Sequence, residues 1–196
     1  MIYYISLFVL RMINRIYCRS TVIGKEHIPA KGGYILACNH ISNLDPFIIG
    51  VTTLRKLNFM AKEEMFRSKI GSFYWHQVGA FPIKRDEADF RAIREAIRRL
   101  KRGKLLVMFP EGTRGTAQRA KKINPGVGWL VQKAGVPVIP IHLKGTEQVL
   151  PNDAKWFKRH PVTITIGEPV RFPEKTPNNE IALAIMEKIR QLSFQS

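Results

Sequence analysis

Apolar residues along this chain follow two rhythms. In one they form short unbroken runs, and in the other they recur at every third or fourth position over a longer stretch. Residues 34–38 (YILAC), 57–61 (LNFMA), 104–109 (KLLVMF) and 137–143 (PVIPIHL) are runs of the first kind and predict buried strands. Residues 162–166 (VTITI) alternate and stop at Gly167, which predicts another strand. Residues 78–83 read as a further extended segment, interrupted by Pro82, and Pro140 predicts an edge, a bulge or an irregular strand at 137–143.

The second rhythm is clearest at 87–102, where Phe90, Ile93, Ile97 and Leu100 share one helical face and arginines crowd the other. It returns at 179–192 with Ile181, Ile185, Ile189 and Leu192. A helix is also predicted at 125–134, closed by Gly135, and a short one at 62–69. Asp45-Pro46 predicts a cap and first-turn proline for a helix over 46–54. Strands alternating with helices in this way predict an α/β fold: a single domain with a mostly parallel or mixed central sheet flanked by helices.

The first 22 residues stand apart. Arg11, Arg15 and Arg19 follow at i+4 spacing, while Ile5, Val9, Met12 and Ile16 share another side of the same helix. Tyr3, Tyr4, Phe8 and Tyr17 add aromatic rings. The apolar stretch falls short of the roughly 20 residues needed to span a bilayer. It predicts an amphipathic, membrane-associated helix lying in an interface, with residues 23–196 as the folded domain. An ordinary helix packed on the domain is the alternative.

Charge sharpens this picture. Lys and Arg number 32 against 15 Asp and Glu, a formal net charge of +17. Such a surface draws polyanions, so an anionic membrane, an acidic substrate carrier and nucleic acid are the partner classes to weigh. Cys18 and Cys38 are too few for a disulfide framework and have no metal-ligand spacing. His27, His76, His142 and His160 form no ligand pattern with carboxylates either, so no metal or other cofactor is expected.

Two polar clusters follow predicted strands, where α/β sheets place their ligands. After 34–38 comes Asn39-His40-Ile41-Ser42-Asn43-Leu44-Asp45. His40 can accept a proton near neutral pH, and a loop of this length can bring Asp45 back to one ring nitrogen. With no well-placed Ser or Cys nucleophile beyond the nearby Ser42, an incoming substrate hydroxyl is the expected nucleophile. A purely structural role, with Asp45 capping a helix and His40 satisfying the strand end, is the other reading. After 104–109 comes Pro110-Glu111-Gly112-Thr113-Arg114-Gly115, in which Arg114 offers a bidentate phosphate donor and Glu111 a partner for a ligand hydroxyl or an arginine. Arg85, at the end of the 78–83 segment, is a second phosphate candidate. Gly112 is a candidate oxyanion donor by location alone.

These residues resemble the glycerophospholipid acyltransferase family, which includes bacterial 1-acylglycerol-3-phosphate acyltransferases. N-H-x-S-x-x-D is intact as Asn39, His40, Ser42 and Asp45; G-x-[FI]-x-x-x-R is matched by Gly79, Phe81 and Arg85; F-P-E-G-T-R is complete from Phe109 to Arg114; and the apolar-proline block matches residues 136–140. The resemblance implies His40 as base with Asp45 as its partner. It implies that Arg85, Glu111, Gly112, Thr113 and Arg114 bind a phosphate-bearing acceptor. Lysophosphatidic acid is the acceptor it favours, with glycerol-3-phosphate or another lysophospholipid as alternatives. The acyl donor would be acyl-CoA or acyl-carrier protein. The resemblance also implies a peripheral or monotopic place on the cytoplasmic face of the cell membrane. Asn124 stands where many relatives have lysine, with Lys121 and Lys122 close by.

A nucleic-acid-binding module is the rival from another class, with Arg94, Arg98, Arg99, Lys101 and Arg102 as its phosphate-tracking face. No recognised nucleic-acid motif accompanies these arginines. A noncatalytic membrane scaffold is a third reading, against which the intact His40, Asp45, Glu111 and Arg114 weigh.

Overall fold

The computed structural model describes residues 1–84, 89–111, 126–151, 154 and 156–195. Seven strands form one sheet: β1 (Thr21–Ile23), β2 (Tyr34–Cys38), β3 (Leu57–Lys62), β4 (Ala80–Ile83), β5 (Leu105–Met108), β6 (Val138–Lys144) and β7 (Thr163–Ile166). Their order is β1-β7-β6-β2-β5-β3-β4, and every neighbouring pair is parallel except β6 and β7. The sheet is therefore mixed, with a parallel core of five strands running from β6 to β4.

Parallel strands are buried on both faces, which is why their sequences read as continuous apolar runs. The two-residue pleat sorts the side chains. Leu36, Cys38, Leu105, Val107, Ile139, Ile141 and Leu143 enter one core layer, while Ile35, Ala37, Leu106 and Val138 enter the other. The second layer is covered by α4 (Phe90–Lys101), α5 (Gly126–Ala134) and α7 (Asn178–Leu192). The apolar face expected of α7 points inward, with Ile181, Ile185, Ile189 and Leu192 all buried; on α4 Leu100 is buried and Ile93 and Ile97 pack half-buried on the core beside Ala92 and Ala96, but Phe90, in the first turn, is 63% exposed and does not join that face. Arg99 departs from the basic outer face read in α4. Its guanidinium donates to Asn58 Oδ1 at 2.8 Å, to the Gly79 carbonyl at 2.7 Å and to Glu95 at 2.7 Å, and lies over the Phe81 ring.

The first layer is covered by shorter pieces. α1 (Ile2–Ile13) continues as a π-helical turn to Cys18 and packs on the 3-10 turn Ile49–Thr52 that follows α2 (Asp45–Ile48). Gly50 allows that approach, since a Cβ there would meet Leu10 and Leu7. The helix expected over 46–54 is thus a single α-turn that tightens into a 3-10 turn. A 3-10 turn at Glu63–Phe66 stands in place of the helix expected over 62–69, followed by α3 (Lys69–Gln77), which Ser68 caps by accepting from the Gly71 N–H at 3.0 Å. Sequence reading also missed β1, whose three residues are too few for a periodic signal.

Pro140 lies in an interior strand, between β2 and β7. Its carbonyl accepts from Gly167 N–H at 2.9 Å, so its missing N–H faces the same side, just beyond the last β7 pair. There the register slips by one residue between the Ile141–Ile166 pair and the Val138–Val170 bridge. The proline is accommodated by a bulge in its partner rather than by an edge.

Backbones approach closely in the helical layer at Gly128 of α5, where a Cβ would stand 1.9 Å from the Asn178 carbonyl oxygen at the start of α7. Gly128→Ala is expected to lower the unfolding free energy by about 1–3 kcal/mol or more, measured by urea denaturation. An unchanged midpoint would show that α5 and α7 separate freely.

Candidate active site

β2 brings the chain to the carboxyl edge of the sheet at Cys38, and the next seven residues turn back on themselves around one carboxylate. Asp45 is fully buried. Its Oδ2 accepts from the backbone N–H groups of Ile41 at 2.7 Å and Ser42 at 2.8 Å, and from His40 Nδ1 at 2.8 Å. Its Oδ1 accepts from Thr146 Oγ1 at 2.6 Å. A buried carboxylate is strongly unfavourable unless it is bonded on all sides, and these four donors meet that need. Asp45 therefore does not cap α2. It is the first residue of that helix, and its side chain reaches backwards to hold the preceding loop.

This bonding decides the protonation pattern of His40. An oxygen that already receives two backbone N–H groups is an acceptor, so the proton between Asp45 and His40 sits on Nδ1. Nε2 is left with its lone pair in the neutral ring. Among the described residues Nε2 has no hydrogen-bond partner. The ring is clamped by Phe109, which stacks on it with centroids 4.1 Å apart and planes 21° from parallel. Phe109 reaches it because β5 lies beside β2 in parallel register, Met108 level with Ala37. The result is a base with a fixed plane, a fixed tautomer and its free nitrogen turned away from the carboxylate.

Asn39 and Ser42 in the same loop are structural. Asn39 copies a backbone pair, donating to the Leu143 carbonyl at 2.9 Å and accepting from the Leu143 N–H at 2.7 Å, which ties the end of β2 to β6. Ser42 Oγ donates to the Leu150 carbonyl and accepts from the Leu44 N–H. Buried and committed in both directions, that hydroxyl is not available to attack a substrate. Both thiols are also withdrawn, since burial pushes Cys18 up to about 11 and Cys38 well above the usual thiol range.

Glu111 stands beside His40. Burial raises its carboxyl above the usual range, opposed by the backbone N–H and ring of His40 and reinforced by the negative charge of Asp45. Lys84, after β4, and Glu111, after β5, reach the same edge of the parallel sheet as His40. Arg85, Gly112, Thr113 and Arg114 lie outside the described residues, as do Lys121, Lys122 and Asn124. Gly79, which opens the second sequence block, has φ +96° at the turn into β4. A side chain there would strike the Leu57 carbonyl oxygen at 2.1 Å. Among the described residues, no group of three or more His, Cys, Asp or Glu side chains is placed to hold a metal ion.

A cavity of about 340 Å³ adjoins the loop. Leu44 and Pro46, on either side of Asp45, line it together with Leu7, Leu10, Phe59 and Tyr74, so its wall is almost wholly apolar.

Residues 19–144 match the family model described as Acyltransferase, well over half of the chain. The chain belongs to the glycerophospholipid acyltransferase family. A 1-acyl-sn-glycerol-3-phosphate acyltransferase of Bacillus subtilis is 32% identical over 175 residues, covering 87% of this chain and 84% of that protein. One from Streptococcus pneumoniae is 28% identical over 165 residues, covering 83% of this chain and 59% of that protein. The crystal structure of the 1-acyl-sn-glycerophosphate (LPA) acyltransferase of Thermotoga maritima superposes with a TM-score of 0.74 at 26% identity, covering 95% of this chain and 79% of that one.

Two residues of the constellation escaped sequence reading. Phe109 belongs to a recognised block, yet nothing in its neighbours says that its ring faces an imidazole. Thr146 is 101 residues from Asp45 and carries no motif; its only clue is that it follows Gly145 at the end of a parallel strand. Removing its hydroxyl leaves a buried carboxylate oxygen without its donor. Thr146→Val is therefore expected to lower the unfolding free energy by about 1–3 kcal/mol, and Thr146→Ser by less because it keeps the donor. Equal loss in both variants under urea would mean that packing, not the hydrogen bond, is what Thr146 contributes.

Proposed function

We infer that this protein is a 1-acyl-sn-glycerol-3-phosphate acyltransferase, which moves a fatty acyl group from a thioester to the free hydroxyl of lysophosphatidic acid and gives phosphatidic acid. The observation that carries the chemical reading is the buried Asp45 carboxylate bonded to His40 Nδ1, with Nε2 left as the base.

In the proposed mechanism the acceptor hydroxyl attacks the carbonyl carbon of the thioester while His40 Nε2 takes its proton. Asp45 stabilises the imidazolium that forms. The tetrahedral intermediate collapses with cleavage of the carbon–sulfur bond, and the departing thiolate takes the proton from His40. No acyl-enzyme is needed, which suits a loop whose only hydroxyl, Ser42, is already committed. Either acyl-CoA or acyl-carrier protein supplies the thioester. Arg85 and Arg114 hold the acceptor phosphate, Glu111 and Thr113 hold its polar groups, and the Gly112 N–H meets the oxyanion. Binding a phosphate at a distance from the reacting hydroxyl contributes through orientation as well as affinity. The apolar cavity beside Leu44 and Pro46 takes a hydrocarbon chain, and its position next to Asp45 supports that use.

Residues 1–22 are taken as the interfacial segment and residues 23–196 as the transfer domain, although β1 (Thr21–Ile23) spans that boundary and joins its end to the sheet. Among the described residues no helix is long and apolar enough to cross a membrane. α1 nonetheless leaves Tyr4, Ile5, Phe8, Val9 and Met12 exposed along one side, with Arg11 and Arg15 on the same helix and its extension. This supports a peripheral or monotopic enzyme on the cytoplasmic face of an anionic membrane.

With purified protein on vesicles, thiol release should require lysophosphatidic acid. His40→Ala should lower kcat by at least about a hundredfold, whereas Arg85→Gln and Arg114→Gln should raise the acceptor KM about tenfold or more. Release that persists without His40 would remove it as the base. Release with glycerol-3-phosphate but not with lysophosphatidic acid would reassign the acceptor.

A further inference from the structure

α3 is a helix without a buried residue. It has nine residues, fewer than the roughly 12–15 at which isolated helices become even marginally stable in water. What holds it is a set of edge contacts: the Ser68 cap, the Phe66 ring against His76, the Phe47 ring near Trp75, and a hydrogen bond of 3.2 Å between Tyr74 and Ser6 of α1. Its outward side nevertheless carries large apolar side chains, alongside the exposed Lys69, His76 and Gln77. Ile70 is 85% exposed and Phe73 59%, one helical turn apart, and Tyr74 is also exposed. Trp75 is half-buried towards Phe47, but a helix that shows Ile70 and Phe73 to solvent and fully buries no residue is placed to be covered by something else.

We propose that α3 is a second membrane-contacting element, which enters the headgroup region of an anionic bilayer beside α1. This rests on the reading of the protein as a membrane-bound acyltransferase. Three observations favour a bilayer as occupant. The Ser6–Tyr74 bond joins α3 to α1, so Ile70 and Phe73 extend the apolar side already presented by Ile5, Phe8 and Val9. Exposed cations flank the patch, with Arg67 and Lys69 at the start of α3 and Arg15 and Arg19 beyond α1, while the acids Glu63 and Glu64 stand in the preceding turn. The apolar cavity is lined from both helices, by Leu7 and Leu10 of α1 and Tyr74 of α3, and runs to Leu44 and Pro46 beside Asp45. Two helices seated in one leaflet would hold the catalytic edge over the lipid from which a chain must enter.

The test uses the full chain and vesicles of equal parts phosphatidylcholine and phosphatidylglycerol. An environment-sensitive fluorophore is attached at Ile70→Cys or Phe73→Cys, with Glu180→Cys on α7 as control; Cys18 and Cys38 are buried and so shielded from labelling. Labels at 70 and 73 should shift to the blue on vesicles while the label at 180 does not. The double variant Ile70→Gln/Phe73→Gln should lose about tenfold in vesicle partitioning, yet keep its circular dichroism and its acyl transfer in detergent micelles. If the protein binds vesicles while labels 70 and 73 stay in water, α1 acts alone and the proposal fails. A blue shift that grows with protein concentration without lipid would assign the patch to a second copy of the chain instead, and also overturn it. Loss of transfer in micelles by unmodified protein would refute the acyltransferase reading itself, separately from either result.

Discussion

A carboxylate with no exposure to water sits at the end of β2, and much of the surrounding structure is arranged to make that tolerable. Asp45 takes two N–H groups from its own loop, one from the imidazole and a hydroxyl from the segment beyond β6. Each donor comes with a geometric demand. The loop must turn tightly enough to aim two successive amides at one oxygen, β6 must lie beside β2, and the imidazole must present Nδ1. Once these are met, the tautomer and plane of His40 are no longer free. The catalytic base proposed here is thus oriented by the cost of burying its partner.

The parallel core makes this convergence possible. β2, β5 and β6 are adjacent and point the same way, so the residues that follow them meet at one edge although they are far apart in sequence. His40 and Asp45 follow β2, Phe109 and Glu111 follow β5, and Thr146 follows β6. Asn39 strengthens the join by pairing with the Leu143 backbone, as a further ladder rung would. β6 carries Pro140 in its interior, where its carbonyl still accepts from the Gly167 N–H and its missing N–H falls at the register slip after β7. The sheet keeps its parallel side intact for the site and places its irregularity on the antiparallel side.

The two faces of the sheet are covered in different ways, and the difference bears on function. α4, α5 and α7 seal one face with long amphipathic helices and close backbone contacts such as Gly128 against Asn178. The other face is roofed by short turns and by α1 and α3, which pack loosely enough to leave an apolar cavity and a set of exposed aromatic and aliphatic side chains. Under the proposed function, that cavity and those side chains would face the water-insoluble substrate chain. The net charge of +17 acts over longer range, attracting polyanions in general at a strength that salt reduces.

Periodicity alone determined the α/β class and the positions of β2, β3, β5, β6, α4 and α7, though not of the three-residue parallel strand β1. Doubly buried strands must be apolar throughout, and a helix lying on a sheet must be apolar on one side. The sequence blocks likewise singled out His40 and Asp45, because chemistry at a strand end needs polar residues where the surrounding pattern is apolar. Tertiary structure decided matters that depend on contacts between distant segments. It turned Asp45 back into its own loop instead of onto the helix it begins, and it brought Thr146 and Phe109 to the pair. It drew Arg99 inward from a basic face and allowed Pro140 an interior strand. None of these leaves a local trace, since a hydrogen bond across 101 residues has no period and a side chain's neighbours are set by which strands lie side by side.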